Sequence, residues 1–522
     1  MTPAAAKDVA DDEAPESAPL PSAAPLFSLR VAYALAVLSG VMYFLGVPGV
    51  NVWPMAFVTL VPLLVALRGR APRDAAKLGL VAGFVASLLG FHWLYGMFQR
   101  FSGLPGPACA LLMIAMCAYQ GGRLAFTAWL TARADARGWP GAIAFVLAST
   151  TAELVYPLLF PWYLAFMMHE TPLLMQTADL GGVYLAGALL LGPNLAIAEL
   201  VSARLSRVRP NRNLVLAGLC APLLGAAYGA YRIKQVEALA AAAPAVKVGV
   251  AQGNLPLITR AGGVGVHRRL TEKLRGQGAN LVVWSEGAIP DILDEATYKQ
   301  SAQRITRDLE VPVIFGATLR RRSSGAVRDL NSALVSNFDG AIIGRYDKHY
   351  LLPFGEFIPF GESFPSLYDR LPNAGHMIPG ESVAPLDLTG HPISVLICYE
   401  DILPWFVNQA VSEGKPELLV NIAIDTWFGD SIEPWEHLAL GQLRAVEHRR
   451  FLVRAANTGV SAIVDPAGRV VKHGGLFQED SFVSEVRLMT PATVYERVGD
   501  LPFYAGAVAI GIMAVRRRRQ AA

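Results

Sequence analysis

Apolar residues run in long blocks through the first half of the chain and near its end, and in short interrupted blocks between, so two kinds of structure are predicted. Blocks approaching the ~20 residues that cross a bilayer lie at about 28–46, 52–67, 78–95, 107–130, 142–159, 180–197 and 214–230, with a last one at 501–515. The second is short and carries Pro54 and Pro62. Between about 245 and 490 the runs shorten to strand length and alternate with amphipathic helical spacing. Strands are predicted at 247–251, 281–284, 313–317, 333–336, 341–346, 393–397, 418–424, 452–456, 462–465 and 482–486, and helices at 267–277, 296–310, 403–413 and 434–450. Asp339-Gly340 and Pro466-Ala467-Gly468 supply hairpin turns, so this region reads as a layered α/β domain.

Charge orients the blocks, because Lys and Arg are retained on the cytoplasmic side of a membrane. Arg68, Arg70, Arg73, Lys77, Arg133, Arg137, Arg204, Arg207, Arg209 and Arg212 all fall in alternate loops, whereas the intervening loops 47–51, 96–106 and 160–177 hold only Arg100. Seven blocks therefore carry the chain from an inner N-terminus to an outer α/β domain. Arg516 to Arg519 then close the last block inside as a basic anchor. Composition agrees: 522 residues that are 53% hydrophobic, with mean hydropathy +0.38, are too apolar for an all-soluble protein. The net charge of +3 sits in these short clusters without an aromatic-interleaved basic face, which argues against nucleic-acid binding. Residues 1–26, rich in Ala, Pro, Ser and acid, read as a disordered tail without secretory-signal features. Cys109, Cys117 and Cys220 lie in apolar blocks and Cys398 is alone in the α/β region, so no disulfide framework exists there.

Three strand ends deliver chemistry. Ser394-Val-Leu-Ile-Cys398-Tyr399-Glu400-Asp401 is an apolar run stopping at a cysteine and passing into a helix with acid in its first turn. Asn280-Leu-Val-Val-Trp284-Ser-Glu286 ends in a carboxylate, and Gly344-Arg-Tyr-Asp-Lys348 ends in a lysine, with Glu356 eight residues later. A lone cysteine is more often a structural, buried one; at such a turn, with these partners, it is placed as a nucleophile.

Glu, Lys and Cys in that order, each just beyond a strand, resemble the nitrilase superfamily. AQGNLP at 251–256, WSEGAIP at 284–290, YDKHYLLPFGEFIP at 346–359, CYED at 398–401 and DTWFGDS at 425–431 are similar to the apolipoprotein N-acyltransferase branch. The resemblance implies a polytopic α-helical membrane domain (27–233, about seven helices) plus an α/β nitrilase-like α-β-β-α sandwich domain (245–490). A C-terminal membrane helix (498–516) and a basic tail (517–522) complete the chain. It also implies a bacterial inner membrane with the catalytic domain on the periplasmic side. Glu286, Lys348 and Cys398 would be catalytic, moving an acyl chain from a phospholipid, as a Cys398 thioester, to the α-amine of a diacylglyceryl-apolipoprotein. Chemically, Glu286 can act as base and Lys348 with the Tyr399 N–H can stabilise the oxyanion, while Glu356 holds the lysine or the base and Glu400 is a supporting acid at the helix start. No cofactor is implied, and no metal, since the histidines lack HExxH-type spacing and Glu436-His437 and Glu447-His448 read as exposed helix pairs.

Other positions leave alternatives open. Trp427, Phe428 and Phe357 are candidates for substrate binding, against core packing. Arg123 and Glu153 lie in apolar blocks, where ionisable groups are functional or paired. Trp162 fits a lipid access route or an interfacial anchor. Gly262, Gly263 and Gly265 suggest a mobile loop. Ser285 stands where the family more often has proline, and 257–265 lack a tryptophan that members often carry. The competing readings are a membrane-tethered nitrilase-type amidase or hydrolase using water or another amine, and a non-enzymatic transporter or receptor.

Overall fold

The computed structural model describes residues 24–256, 262–323, 326–370 and 375–518. The predicted tail up to residue 23, most of the region lacking tryptophan, and Arg519 lie outside them. Helices Gly106–Asp135, Ala178–Ser206 and Arg212–Ala242 are long and apolar enough to cross a membrane, and Pro72–Gly90 with Trp93–Arg100 forms a fourth candidate bent by 61°. Leu29–Leu45, Trp53–Leu67, Gly141–Val155 and Leu501–Val515 are shorter apolar helices. The chain is thus a membrane protein with a helical N-terminal region. The bend at Phe91-His92 was invisible to hydropathy, which records how apolar a run is and not its direction.

The intramembrane charges are paired. Arg123 Nη1 lies 3.1 Å from Glu153 Oε1, its Nη2 donates to Tyr43 Oη at 3.1 Å, and Glu153 Oε1 also accepts from the Leu164 N–H at 3.0 Å. Burial in an apolar setting demands such mutual satisfaction, and the pair fixes the start of the 164–168 turn. Trp162 is buried and stacked on Phe91 at 4.4 Å.

The α/β region contains β1 (Ala245–Gln252), β2 (Leu281–Trp284), β3 (Ile292–Asp294), β4 (Val313–Ser323), β5 (Ala326–Ser336), β6 (Ile342–Asp347), β7 (Leu386–Leu388), β8 (His391–Ile397), β9 (Leu418–Ala423), β10 (Leu452–Ala456), β11 (Ala462–Val464), β12 (Val470–His473) and β13 (Asp480–Arg487). One sheet runs β13-β1-β2-β4-β5-β6 with β3 beside β4, and the other β12-β11-β10-β9-β8-β7. Side chains alternate across each strand, so Val395 and Ile397 of β8 meet Val250 and Val283 of the opposite sheet, while Leu396 turns outward to Phe406. Helices Gly263–Gly276 and Tyr298–Thr306 cover one outer face; Pro404–Gly414 and Glu433–His448 cover the other. This is the expected α-β-β-α sandwich. The glycines at 262–265 form no loop: Gly262 caps a helix that Gly263 begins.

The second helical layer shares one core with the membrane region, in which Leu438 and Leu443 join Phe91, Trp162 and Phe166. Glu433–His448 is consequently buried on both sides, and the pairs Glu436-His437 and Glu447-His448, predicted to be exposed, are fully enclosed. Glu447 is answered across the seam by the Val183 N–H at 2.8 Å and within its own helix by Arg444 at 3.0 Å, and Arg449, just beyond the helix, meets Asp179 at 2.8 Å.

Candidate active site

Cys398 follows β8 directly with φ +50°, the left-handed region, which costs a non-glycine residue about 1–3 kcal/mol. The turn is a 3₁₀ segment, Cys398–Ile402, and the α-helix begins only at Pro404. Glu400 holds the turn. Its Oε2 accepts from the Ile397 N–H at 2.7 Å, and its Oε1 accepts from Tyr346 Oη at 2.8 Å and from the N–H groups of His349 and Tyr350 at 2.7 and 3.0 Å. One carboxylate thus ties the cysteine turn to the segment carrying Lys348, a role beyond its predicted one at a helix start. Burial pushes the Glu400 carboxyl up to about 7, against the Ile397 N–H and the Lys348 charge, which pull it down. Asn421 on β9 donates to the Cys398 carbonyl at 3.2 Å and secures the turn from below.

The partners converge from three strands. Glu286 leaves β2 in a tight turn completed by Gly287 at φ +56°. A Cβ on Gly316 of β4 would lie 2.5 Å from the Gly287 nitrogen and 2.6 Å from Glu286 Cα, so that bare position lets the carboxylate be delivered here. Lys348, 2% exposed, places Nζ 2.8 Å from Glu356 Oε2 and 3.9 Å from Glu286 Oε1. Asn331 of β5 donates from Nδ2 to both carboxylates, at 2.6 Å to Glu286 and 2.8 Å to Glu356. Asn331 escaped sequence reading because an asparagine inside a strand carries no distinguishing signal.

Electrostatics assign roles within this group. Burial works against the Lys348 ammonium, but Glu356 and then Glu286 outweigh it and hold the lysine above its ordinary value, so it stays a cation. Burial and the Glu286 charge push the Cys398 thiol well up, more than Lys348 lowers it. A resting thiol of this kind reacts only as a base removes its proton, and the arrangement suits a carboxylate base, a fixed cation and a nucleophile.

Of the remaining candidates, Tyr399, Phe428 and Trp427 meet the membrane region, whereas Phe357 and Ser285 contact the α/β domain. Tyr399 Oη donates to the Leu159 carbonyl at 2.6 Å, standing the residue beside Cys398 on the membrane region. Phe428 is buried edge-on to Trp93 at 4.9 Å and Phe160 at 6.1 Å. Trp427 is partly buried and its carbonyl accepts from Arg100 at 2.9 Å. Phe357 is partly buried, and its carbonyl accepts from the Phe354 N–H at 2.7 Å. Ser285 is buried, and its carbonyl accepts from the Gly316 N–H at 3.3 Å, so the strand end forms without proline.

Behind the turn lies a buried charged network. His437 places Nε2 2.7 Å from Asp401 and Nδ1 3.4 Å from Asp425, while Arg454 meets Asp425 at 2.8 Å and Asp401 at 3.4 Å. Asp425, Glu433 and His437 hold ligand atoms within 4.8 Å of one another, enough for a metal ion. Arg454, however, already holds both oxygens of Asp425, and the imidazole is engaged by Asp401 and Asp425. Burial and Arg454 disfavour a charged ring, yet a carboxylate at each nitrogen raises His437 to about 10. The folded state then binds a proton that an unfolded imidazole, near 6.5, has released. This contribution is complete below about pH 6.5 and lost as pH rises through about 10. Thermal melting followed by near-UV signal should show Tm falling from about pH 7 to 10, less steeply in His437→Gln; a parent Tm flat over that window contradicts a charged ring.

The geometry can be set beside known proteins. Residues 247–494 match the family described as carbon-nitrogen hydrolase, and residues 39–196 match the apolipoprotein N-acyltransferase N-terminal domain. An apolipoprotein N-acyltransferase of Geobacter metallireducens is 33% identical over 93% of this chain and 96% of its own. The chain belongs to the apolipoprotein N-acyltransferase family. A family member from Ralstonia nicotianae is 32% identical over 96% of both chains. Among solved structures, the amidase from Nesterenkonia sp. AN1 is 18% identical with a TM-score of 0.36, covering 50% of this chain and 98% of its own.

Proposed function

We propose that this family member takes an acyl chain from a phospholipid as a thioester on Cys398 and passes it to the α-amine of a diacylglyceryl-cysteine at the N-terminus of an apolipoprotein. The observation that carries this is the buried Glu286–Lys348–Glu356 group brought to the cysteine turn, on a sandwich whose helical layer is continuous with the membrane region. Glu286 removes the thiol proton as sulfur attacks the ester carbonyl. Lys348 and the Tyr399 N–H receive the oxyanion. The ester C–O bond breaks, the proton passes from Glu286 to the departing alkoxide, and lysophospholipid leaves. The amine then attacks the thioester, Glu286 accepts its proton, and the thiol is restored as the amide forms. The two substrates use one site in turn.

A membrane region makes sense of such substrates, since both arrive within the lipid. The positive loops favour seven spans before the α/β domain and one after it, with the domain on the periplasmic face of the inner membrane. Arg137 Nε donates to the Val515 carbonyl at 2.9 Å and Arg133 Nε to that of Ala514 at 3.1 Å, which supports a common side for the 133–137 loop and the end of the last helix. The test is to supply phospholipid and a diacylglyceryl-cysteine peptide and measure N-acyl peptide and lysophospholipid. They should appear one for one. Free fatty acid at the same rate, with or without peptide, would instead mean a hydrolase.

A further inference from the structure

Arg100 is the sole Lys or Arg of the three loops placed on the outer side, against ten on the inner side. It lies in the last turn of Trp93–Ser102, where a cation suits the helix end, but its setting is more specific. Nη2 donates to the Trp427 carbonyl at 2.9 Å. The guanidinium lies against two glycines: a Cβ on Gly96 would come 3.2 Å from Nη1, and one on Gly429, itself at φ +67°, 3.1 Å from Nη2. The side chain is therefore seated against bare backbone on both the membrane helix and the turn after β9. It is exposed, and among the described residues no carboxylate forms an ion pair with it. Its other N–H groups remain for a ligand.

That seat adjoins the reactive turn. β8 and β9 run parallel with Ile397 beside Ile422, so the Cys398 turn and the Asp425–Phe428 turn leave the sheet side by side. Both stand on the same rim of the membrane region, Tyr399 through Leu159 and Phe428 through Trp93 and Phe160. In a phospholipid the phosphate is joined to the acyl esters by the glycerol backbone alone. An ester held at Cys398 thus brings an anion to the rim, and guanidinium binds phosphate oxygens in a paired, charge-assisted geometry. We propose that Arg100, seated by the Trp427 carbonyl, binds the phosphodiester of the acyl donor and makes the site select phospholipid over neutral acylglycerol. This rests on the acyl-transfer reading above.

The full-length chain in neutral detergent is incubated with phosphatidylglycerol or with diacylglycerol of the same chains, and acylation of Cys398 is followed by mass. The parent should prefer phosphatidylglycerol, and Arg100→Gln should lower the phospholipid-to-diacylglycerol ratio of rate constants about 10- to 100-fold, as loss of a charge-assisted pair implies. Arg100→Lys should restore part of it, because it keeps charge but not the fork. An equal ratio in the parent, or an equal loss with both donors in Arg100→Gln, overturns the proposal and leaves Arg100 as a bolt on the Trp427 turn. A loss seen only after lipopeptide is added also overturns it. Parent protein acylated by neither donor removes the acyl-transfer reading itself, before any variant is compared.

Discussion

Cys398→Ala should reduce N-acyl peptide formation to background, a loss of about 10⁴-fold or more, as removal of a covalent nucleophile does. The side chain is 8% exposed, small, and not among the partners that hold the turn, which are Glu400 and Asn421. Melting temperature should accordingly change little, separating lost chemistry from lost fold. Cys398→Ser should also fail to label with a thiol-reactive acyl probe, because a hydroxyl beside Glu286 is far harder to ionise than a thiol. Undiminished labelling of that variant would mean another residue is the nucleophile.

The second large effect concerns the ion group. Glu286→Gln keeps the shape and an acceptor for Asn331 but cannot take a proton, so both half-reactions should slow by about 10²–10⁴-fold with little change in substrate KM. Lys348→Met removes the fixed cation and should cost about 10²–10³-fold in rate. It also leaves the part-buried Glu356 with only the Asn331 and Leu352 N–H groups and no cation, so Tm should fall as well, towards the roughly 3–5 kcal/mol that breaking a buried pair costs. Stopped thioester formation, measured separately from transfer, checks both. Thioester formation at the parent rate in Glu286→Gln would remove the base assignment.

Glu286 and Cys398 were legible in the sequence because each ends an apolar strand, whose run and abrupt stop are visible in one dimension, whereas Lys348 follows the mixed run Gly344-Arg345-Tyr346-Asp347 and stood out only through the YDKHYLLPFGEFIP motif around it. Strand positions were recovered from their apolar runs, even in β2 and β11, which are four and three residues long, whereas β3, β7 and β12 mix Asp, Lys or His into three or four positions and carry too little pattern. The polar end of β4 also escaped, because Arg320, Arg321 and Arg322 read as loop until Asp329, Glu295 and Asp294 are placed beside them. The helix Glu433–His448 misled in the opposite sense. Charged residues ordinarily mark a solvent face, but this helix lies between a sheet and the membrane region, and residues distant in sequence answer charges such as Glu447, through the Val183 N–H, and Arg449 just beyond its end, through Asp179. Asn331 and His437 act through the same long-range partnership.

The central claim is that Cys398 carries the acyl chain, and it is tested most directly by the intact mass of the purified full-length chain after incubation with phospholipid alone, followed by peptide mapping. The expected result is one adduct of a single acyl chain on the peptide containing Cys398, released by hydroxylamine and discharged when a diacylglyceryl-cysteine peptide is added. No adduct, or one on a different residue, contradicts the account.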